Sequence, residues 1–246
     1  MKRIRVGFFS FVEVTDPNEH KAYNEWHQLD HMPEQFQIPA IGFGQRFVAS
    51  PRCRDARAVA EPEVASAHYV ALYLMGDPAQ PTLDEFAELG DRLRNMGRFH
   101  LHRHSHLSGA WQALEGWAAP RVLVGADAIP WRPGTGIYTI VEEPTDPDPE
   151  VVDAFVREQH VTGIPALLEV PGIAGVWTFA TSALYRNPRW TQGRSRITVC
   201  WLDGDPVATA SALAPLLERR WAGAPLRPLL AGPWEVITPY HWDWFD

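Results

Sequence analysis

Two cysteines in 246 residues, Cys53 and Cys200, lie far apart and lack metal-type spacing. They exclude a disulfide scaffold and read as reduced thiols of a cytoplasmic protein. No apolar run approaches a membrane span, so no membrane partner is expected. The opening MKRIRVGFFSFVEV sets basic residues before an apolar stretch, as a secretion signal does. Glu13 and Asp16 break that stretch and no small-residue cleavage site follows, so a first strand is predicted instead. Basic excess is missing too: a net charge of -8 and a pI near 5.7 exclude a nucleic-acid groove. The chain has no phosphate-cradling glycine loop, no nucleophile elbow, no cysteine redox motif and no low-complexity tract.

What remains is an ordinary globular composition, 46% hydrophobic and 21% charged. The length suits one large domain or two smaller ones. Eleven Trp and eleven Phe are a heavy aromatic load. They form either a dense core or the lining of a pocket for a small hydrophobic molecule.

Strands are predicted at 4–12, 42–49 and 68–75, with a fourth opening at Trp111. Asp16 and Pro17 open a first helix that is expected to stop near His31, because Pro33 pushes Met32 away from helical geometry. The segment 51–66 is polar and reads as a connection, and Thr82 to Glu85 (TLDE) reads as a capping box for a second helix closed by Gly97. The same order then recurs, with TDPDPE at Thr145 opening a helix that ends near His160. Short strings recur as well: GDP at Gly76 and Gly204, IPAI at Ile38 with VPGI at Val170, and GAWQAL at Gly109 with GPWEVI at Gly232. Their offsets are nearly constant, which predicts a tandem duplication. At a similar offset His31 falls on His160, and Trp26 on Phe155. The predicted fold is α+β: two tandem ferredoxin-like βαββαβ repeats, residues 1–117 and 137–246, joined by a connector at 118–136. Each repeat leaves one apolar sheet face open, and the two faces can close on each other as an intrachain α+β barrel. Such a chain needs no partner to bury its sheets, so a monomer is foldable and a homodimer is an option.

Two histidine clusters stand out. Trp26, His27, Asp30, His31 and Glu34 crowd one helix, with His27 and His31 a turn apart on one face. They make either a solvated helix face or a site. Two His and a carboxylate imitate a metal face, but Pro33 divides them and no metal is predicted. The second cluster, FHLHRHSHL, alternates His100, His102, His104 and His106 without an acid inside the run. It is expected to be a solvated loop or lid, again without a physiological metal.

The string EWHQLDHMPEQFQIPAIGFGQRF resembles the EthD-like branch of the dimeric α+β barrel superfamily. The family's W-x-x-x-x-H-x-P helix, turn and strand find counterparts in Trp26, His31, Pro33, Pro39 and Arg46. Ala40 stands where the family turn usually has Gly. The resemblance implies a cavity between sheet and helices with the helix histidine pointing toward it. It also implies cofactor-free decarboxylation, dehydration, isomerisation or oxygenation of aromatic or polyketide-like molecules. More distant branches hold haem in a similar tandem barrel, so fold membership fixes no reaction. On this basis His31 is expected to move a proton near neutral pH, with His27 or Asp30 orienting it. Trp26 would wall the pocket, and Arg46 would hold a carboxylate or phenolate if it faces inward. His160 would shape a lesser pocket in the second repeat. The alternatives are a haem protein with His31 or His160 as axial ligand and a non-catalytic binder of an apolar metabolite. No cofactor is predicted.

Overall fold

Val6–Val14 (β1), VGFFSFVEV, is buried along nearly its whole length, because both of its faces are covered. Phe9 and Phe11 point into an aromatic interior, while Val6 and Phe8 point outward beneath helices. The computed structural model describes residues 4–185, 187–191 and 193–245. Eight further strands complete one antiparallel sheet: β2 (Ile41–Val48), β3 (Val59–Ala60), β4 (Tyr69–Met75), β5 (Arg103–Ala118), β6 (Gly136–Pro144), β7 (Ile173–Ala180), β8 (Arg196–Leu202) and β9 (Leu226–Val236). They lie in the order β2-β4-β1-β5-β7-β8-β6-β9-β3, and a further pairing of β2 with β9 closes the sheet into a ring.

The first half of the chain orders its strands β2-β4-β1-β5 and the second β7-β8-β6-β9, the same arrangement twice. Two seams join them. At one, the 16-residue β5 pairs with β1 through Gln112 and with β7 from Gln112 to Ala118. At the other, Phe47 and Val48 pair with Val236 and Glu235. Arg52 and Ser50 fasten this second, shorter seam by donating to the Glu235 carboxylate.

Inside the ring, Trp111 and Trp234 are fully buried with Phe9, Phe11, Phe47, Phe179 and Leu72. Burying a side chain of this size contributes about 1.5–3 kcal/mol. Each indole N–H keeps a partner, Ser195 Oγ for Trp111 and Thr139 Oγ1 for Trp234, so neither ring leaves a buried donor unsatisfied.

Helices cover the outside. α1 spans residues 20–35, α2 is Pro51–Asp55, α3 is Ala79–Asn95, α4 spans residues 149–168 and α5 is Pro206–Trp221. Buried Leu83, Phe86, Leu89 and Leu93 recur on α3 at helical spacing, and Gly97, at φ 72°, ends it in the left-handed region. Between 118 and 136 a 3-10 turn, Ala126–Trp131, buries Ile129 in the ring and gives the Trp131 N–H to the Gly42 carbonyl.

Several expectations are corrected here. The polar segment 51–66 is an ordered α2 followed by β3, which adds to β9 at Ala231 and Leu230. Thr82 does not cap α3: the helix begins three residues earlier, and the Thr82 hydroxyl donates back to the Pro78 carbonyl. The fourth strand begins at Arg103, eight residues before Trp111, and so takes in part of the histidine run.

Candidate functional site

A 3-10 turn, Pro17–Glu19, leads into α1 and opens as the sequence predicts, with the Asp16 carboxylate accepting from the Asn18 N–H. α1 does not stop at His31. An α-helical His20–Trp26 passes into a π-helical turn, His27–His31, and resumes as Met32–Gln35. The Met32 N–H bonds to the His27 carbonyl, five residues back. Pro33 has no N–H to give and its ring would collide with the carbonyl of Leu29 in a regular helix. The widened turn accommodates it without ending the helix. It also brings His27 and His31 together edge to face, with ring centroids 5.2 Å apart.

α4 has the same construction, with a π turn at Gln159–Gly163 before Pro165. Asp16 and Asp148, Pro17 and Pro149, Pro33 and Pro165, and Ile41 and Ile173 all stand 132 residues apart. This register corrects the sequence alignment. The position of His31 is taken by Gly163, that of His27 by Gln159, and His160 matches Gln28. The sequence match took His160 at an offset of 129, whereas the helices register at 132, the offset of IPAI and VPGI.

Between α1, α3 and the outer face of β1, β4 and β5 lies a cleft of about 270 Å³. Phe8, Trp26, Phe86, Phe99 and Trp190 wall it, and His27, His31, Gln35, Tyr73, Arg103 and Ser105 bring polar atoms to it. Trp26 stacks on His31 at 4.7 Å and 23°, and its indole N–H is held by the Arg98 carbonyl. The Tyr23 hydroxyl lies 3.1 Å from His27 Nδ1, and the Tyr73 hydroxyl 3.5 Å from His27 Nε2. The Gln35 amide nitrogen is 3.4 Å from His31 Nε2, while His31 Nδ1 is sealed from solvent without a partner.

Both histidines are neutral at pH 7. Burial, then the Arg103 guanidinium, push His31 down to about 3 against the opposing pull of Asp30. Burial, then Arg46, His31 and Arg103, hold His27 well below its ordinary value. A titration of His31 near neutrality is therefore not a property of the free site, because desolvation penalises the imidazolium.

The remaining predicted residues are dispersed. Asp30 faces away from the cleft, in a fork with Glu34 around Arg98, at 2.9 and 2.7 Å from its Nη2. It cannot orient His31 by hydrogen bonding. Arg46 is buried but does not line the cleft: it lies over the Tyr23 and Tyr69 rings and donates to Asn24 Oδ1 at 2.8 Å. Its charge acts on His27 from behind. His160 is in a different cavity, its ring against Trp117 at 5.0 Å and its Nδ1 3.8 Å from Glu115. In the second half, Gln159 is bonded to Arg220, which is itself paired with the buried Glu142, so ion pairing occupies the place of the histidines.

The His100–His106 run splits apart. His100 reaches Glu19 and the Tyr23 ring, whereas His106 reaches Glu13 and Ser66. Among the described residues no group of three His, Cys, Asp or Glu side chains is placed to hold a metal. The sequence reading missed the residues between those histidines. A bulge between Phe11 and Val12 shifts the pairing so that β1 meets Leu107 and then Ser105, which turns Ser105 and Arg103 toward the cleft. Strand alternation was the available signal, since Arg103 and Ser105 interleave with the histidines. Tyr73 and Gln35 carried no such mark.

No known family profile matches the chain, and no curated protein is detectably similar to it in sequence. Solved structures do match. A protein described as anthrone oxidase-like is similar at 13% identity and a TM-score of 0.52, over 97% of this chain and 94% of that one. One provisionally described as a chlorite dismutase is similar at 11% identity and a TM-score of 0.57, over 97% and 96%. Both are α+β barrel proteins, and at these identities the likeness establishes the shared fold.

Proposed function

We propose that this chain is an enzyme that removes a proton from a small, planar, hydrophobic molecule without a bound cofactor, with His31 as acceptor. The carrying observation is a neutral, buried His31 at a cleft walled by Trp26, Phe99, Phe86 and Trp190. An uncharged imidazole accepts a proton, whereas a general acid would need the charged form. His27, fixed through Nδ1 by Tyr23, is the positioned neighbour that steadies the reacting group. Arg103 is the cation available to an oxygen that gains charge as an enolate or phenolate forms. Dehydration, isomerisation and cofactor-free oxygenation all begin with such a deprotonation. Decarboxylation suits the site less, since it needs a proton donor for the carbanion.

We further read the two halves as copies of one ferredoxin-like unit, EthD-like in the first helix, with the histidine-lined cleft in the first copy and a hollow lined by Gln159, Gly163 and Arg220 in the second. The repeated strand order and the constant offset along α1 and α4 support this. Closure of the ring within one chain supports a monomer as the folding unit. Two buried free thiols suit a reducing, cytoplasmic setting.

Haem, which the resemblance allows, would have to take His31 Nε2, because Nδ1 is sealed. The same Nε2, beside the Gln35 amide, is the acceptor of the substrate proton, and Trp26 stacked on the ring favours a small flat molecule over a macrocycle.

The test uses anthrone, whose acidic CH₂ lies beside a carbonyl, and smaller enolisable aryl ketones. Deuterium exchange at the CH₂ and absorbance change are followed together. The wild-type protein should accelerate exchange, His31→Ala should reduce it about a hundredfold or more, and His160→Ala should leave it intact. Circular dichroism of both variants controls for folding. Binding without accelerated exchange across the panel would mark a carrier instead, and an unimpaired His31→Ala would put the base elsewhere.

A further inference from the structure

Arg103 enters the cleft from the start of β5, and its guanidinium lies 5.8 Å from the Trp26 ring and 5.5 Å from that of Phe99. Its Nη2 donates to Ser105 Oγ at 2.6 Å, and Ser105 Oγ in turn lies 3.2 Å from Ser10 Oγ. Its Nε is sealed from solvent and has no partner. No carboxylate pairs with it among the described residues. The cleft's one acid, Asp91, is held by Arg189 and Arg94 at the mouth. Three arginines therefore face the cleft against one carboxylate, and the histidines beside them are uncharged.

Isolating a guanidinium in a largely buried site is unfavourable unless a counter-charge meets it. A planar fork of donors matches the two coplanar oxygens of a carboxylate. The aromatic walls set the other half of the ligand, a flat ring system lying against Trp26, Phe99 and Phe86.

We infer that Arg103, backed by Ser105 and Ser10, is an anion-binding subsite, and that the cleft takes planar aromatic carboxylates. The inference rests on the same cleft as the proposed function, but on binding and not on proton transfer.

The probe is 2-naphthoate against its neutral isostere 2-naphthamide, each titrated by quenching of tryptophan fluorescence and by calorimetry. Wild-type protein should bind the acid about tenfold or more tightly than the amide, as a charge-assisted pair requires. Arg103→Gln should abolish that preference by weakening the acid far more than the amide, and Arg103→Lys should restore part of it. His31→Gln should keep the preference, so failure of the proton-transfer reading and failure of this one are separable. Equal binding of acid and amide by the wild type would overturn the inference without any variant. A preference for the acid that survives in Arg103→Gln would place the anion on Arg94 or Arg189 and overturn it as well.

Discussion

The two histidines at the cleft differ in what surrounds them. His27 is held at Nδ1 by Tyr23 and feels Arg46 from behind, whereas His31 lies nearer to Arg103 in effect and keeps an unbonded Nδ1. Burial and Arg103 both act against a proton on His31. An anion bound at Arg103 removes the second of these, so His31 gains proton affinity when the cleft fills. Binding of 2-naphthoate should therefore be accompanied by proton uptake below neutral pH. Calorimetry in two buffers of different ionisation enthalpy measures that uptake, and His31→Gln should abolish it. Had Asp30 been the tuning group, as the spacing in the sequence suggested, uptake would be independent of the ligand. Its carboxylate is instead occupied by Arg98.

At the scale of the element, the π turn of α1 does the positioning. Pro33→Ala returns the missing N–H and removes the clash that keeps the turn wide. The helix should then relax toward regular α geometry and turn His27 and His31 out of their present edge-to-face contact. Exchange activity should fall about tenfold or more and the melting temperature should fall by about 4 °C or more, because narrowing the turn also rotates buried Met32 and Gln35 beyond it. Thermal melts beside exchange rates check both halves of this statement. The sequence disclosed the strands well, since their apolar runs are long and bounded by Gly, Pro and Asp. It disclosed the cleft only in part. Trp26, His27 and His31 were legible from spacing, but a pre-proline residue reads as a helix end, and nothing local announces that a widened turn will carry the helix past it. Arg103 was hidden because its direction depends on a bulge against Val12, a contact with a strand ninety residues earlier in the chain.

For the whole molecule, acid is the predictable weakness. His31 and His68 are both pushed to about 3 by burial, and His27 lies well below its ordinary value. In the unfolded chain each titrates near 6.5. Below that pH the unfolded state binds protons that the folded state refuses, so stability is full above about 6.5 and falls as the pH drops toward 3. The slope approaches about 1.4 kcal/mol per pH unit for a buried histidine such as His31 and is smaller for His68, which water partly screens. Urea unfolding at steps between pH 7.5 and 4 should show this decline, and His68→Gln should make it shallower.

The roof of the cleft comes from the other half of the chain. Trp190 packs on Phe8, Arg189 pairs with Asp91, and Thr191 exchanges backbone and hydroxyl hydrogen bonds with Ser108. These residues lie in the excursion between β7 and β8, outside both sheet seams. The half whose own hollow is lined by Gln159 and Arg220 thus supplies part of the wall for its neighbour's. In evolutionary terms this separates two kinds of change. Substitutions in the excursion can alter which molecules the cleft admits while every strand register stays as it is, so selectivity can drift in one half while the chemistry is conserved in the other.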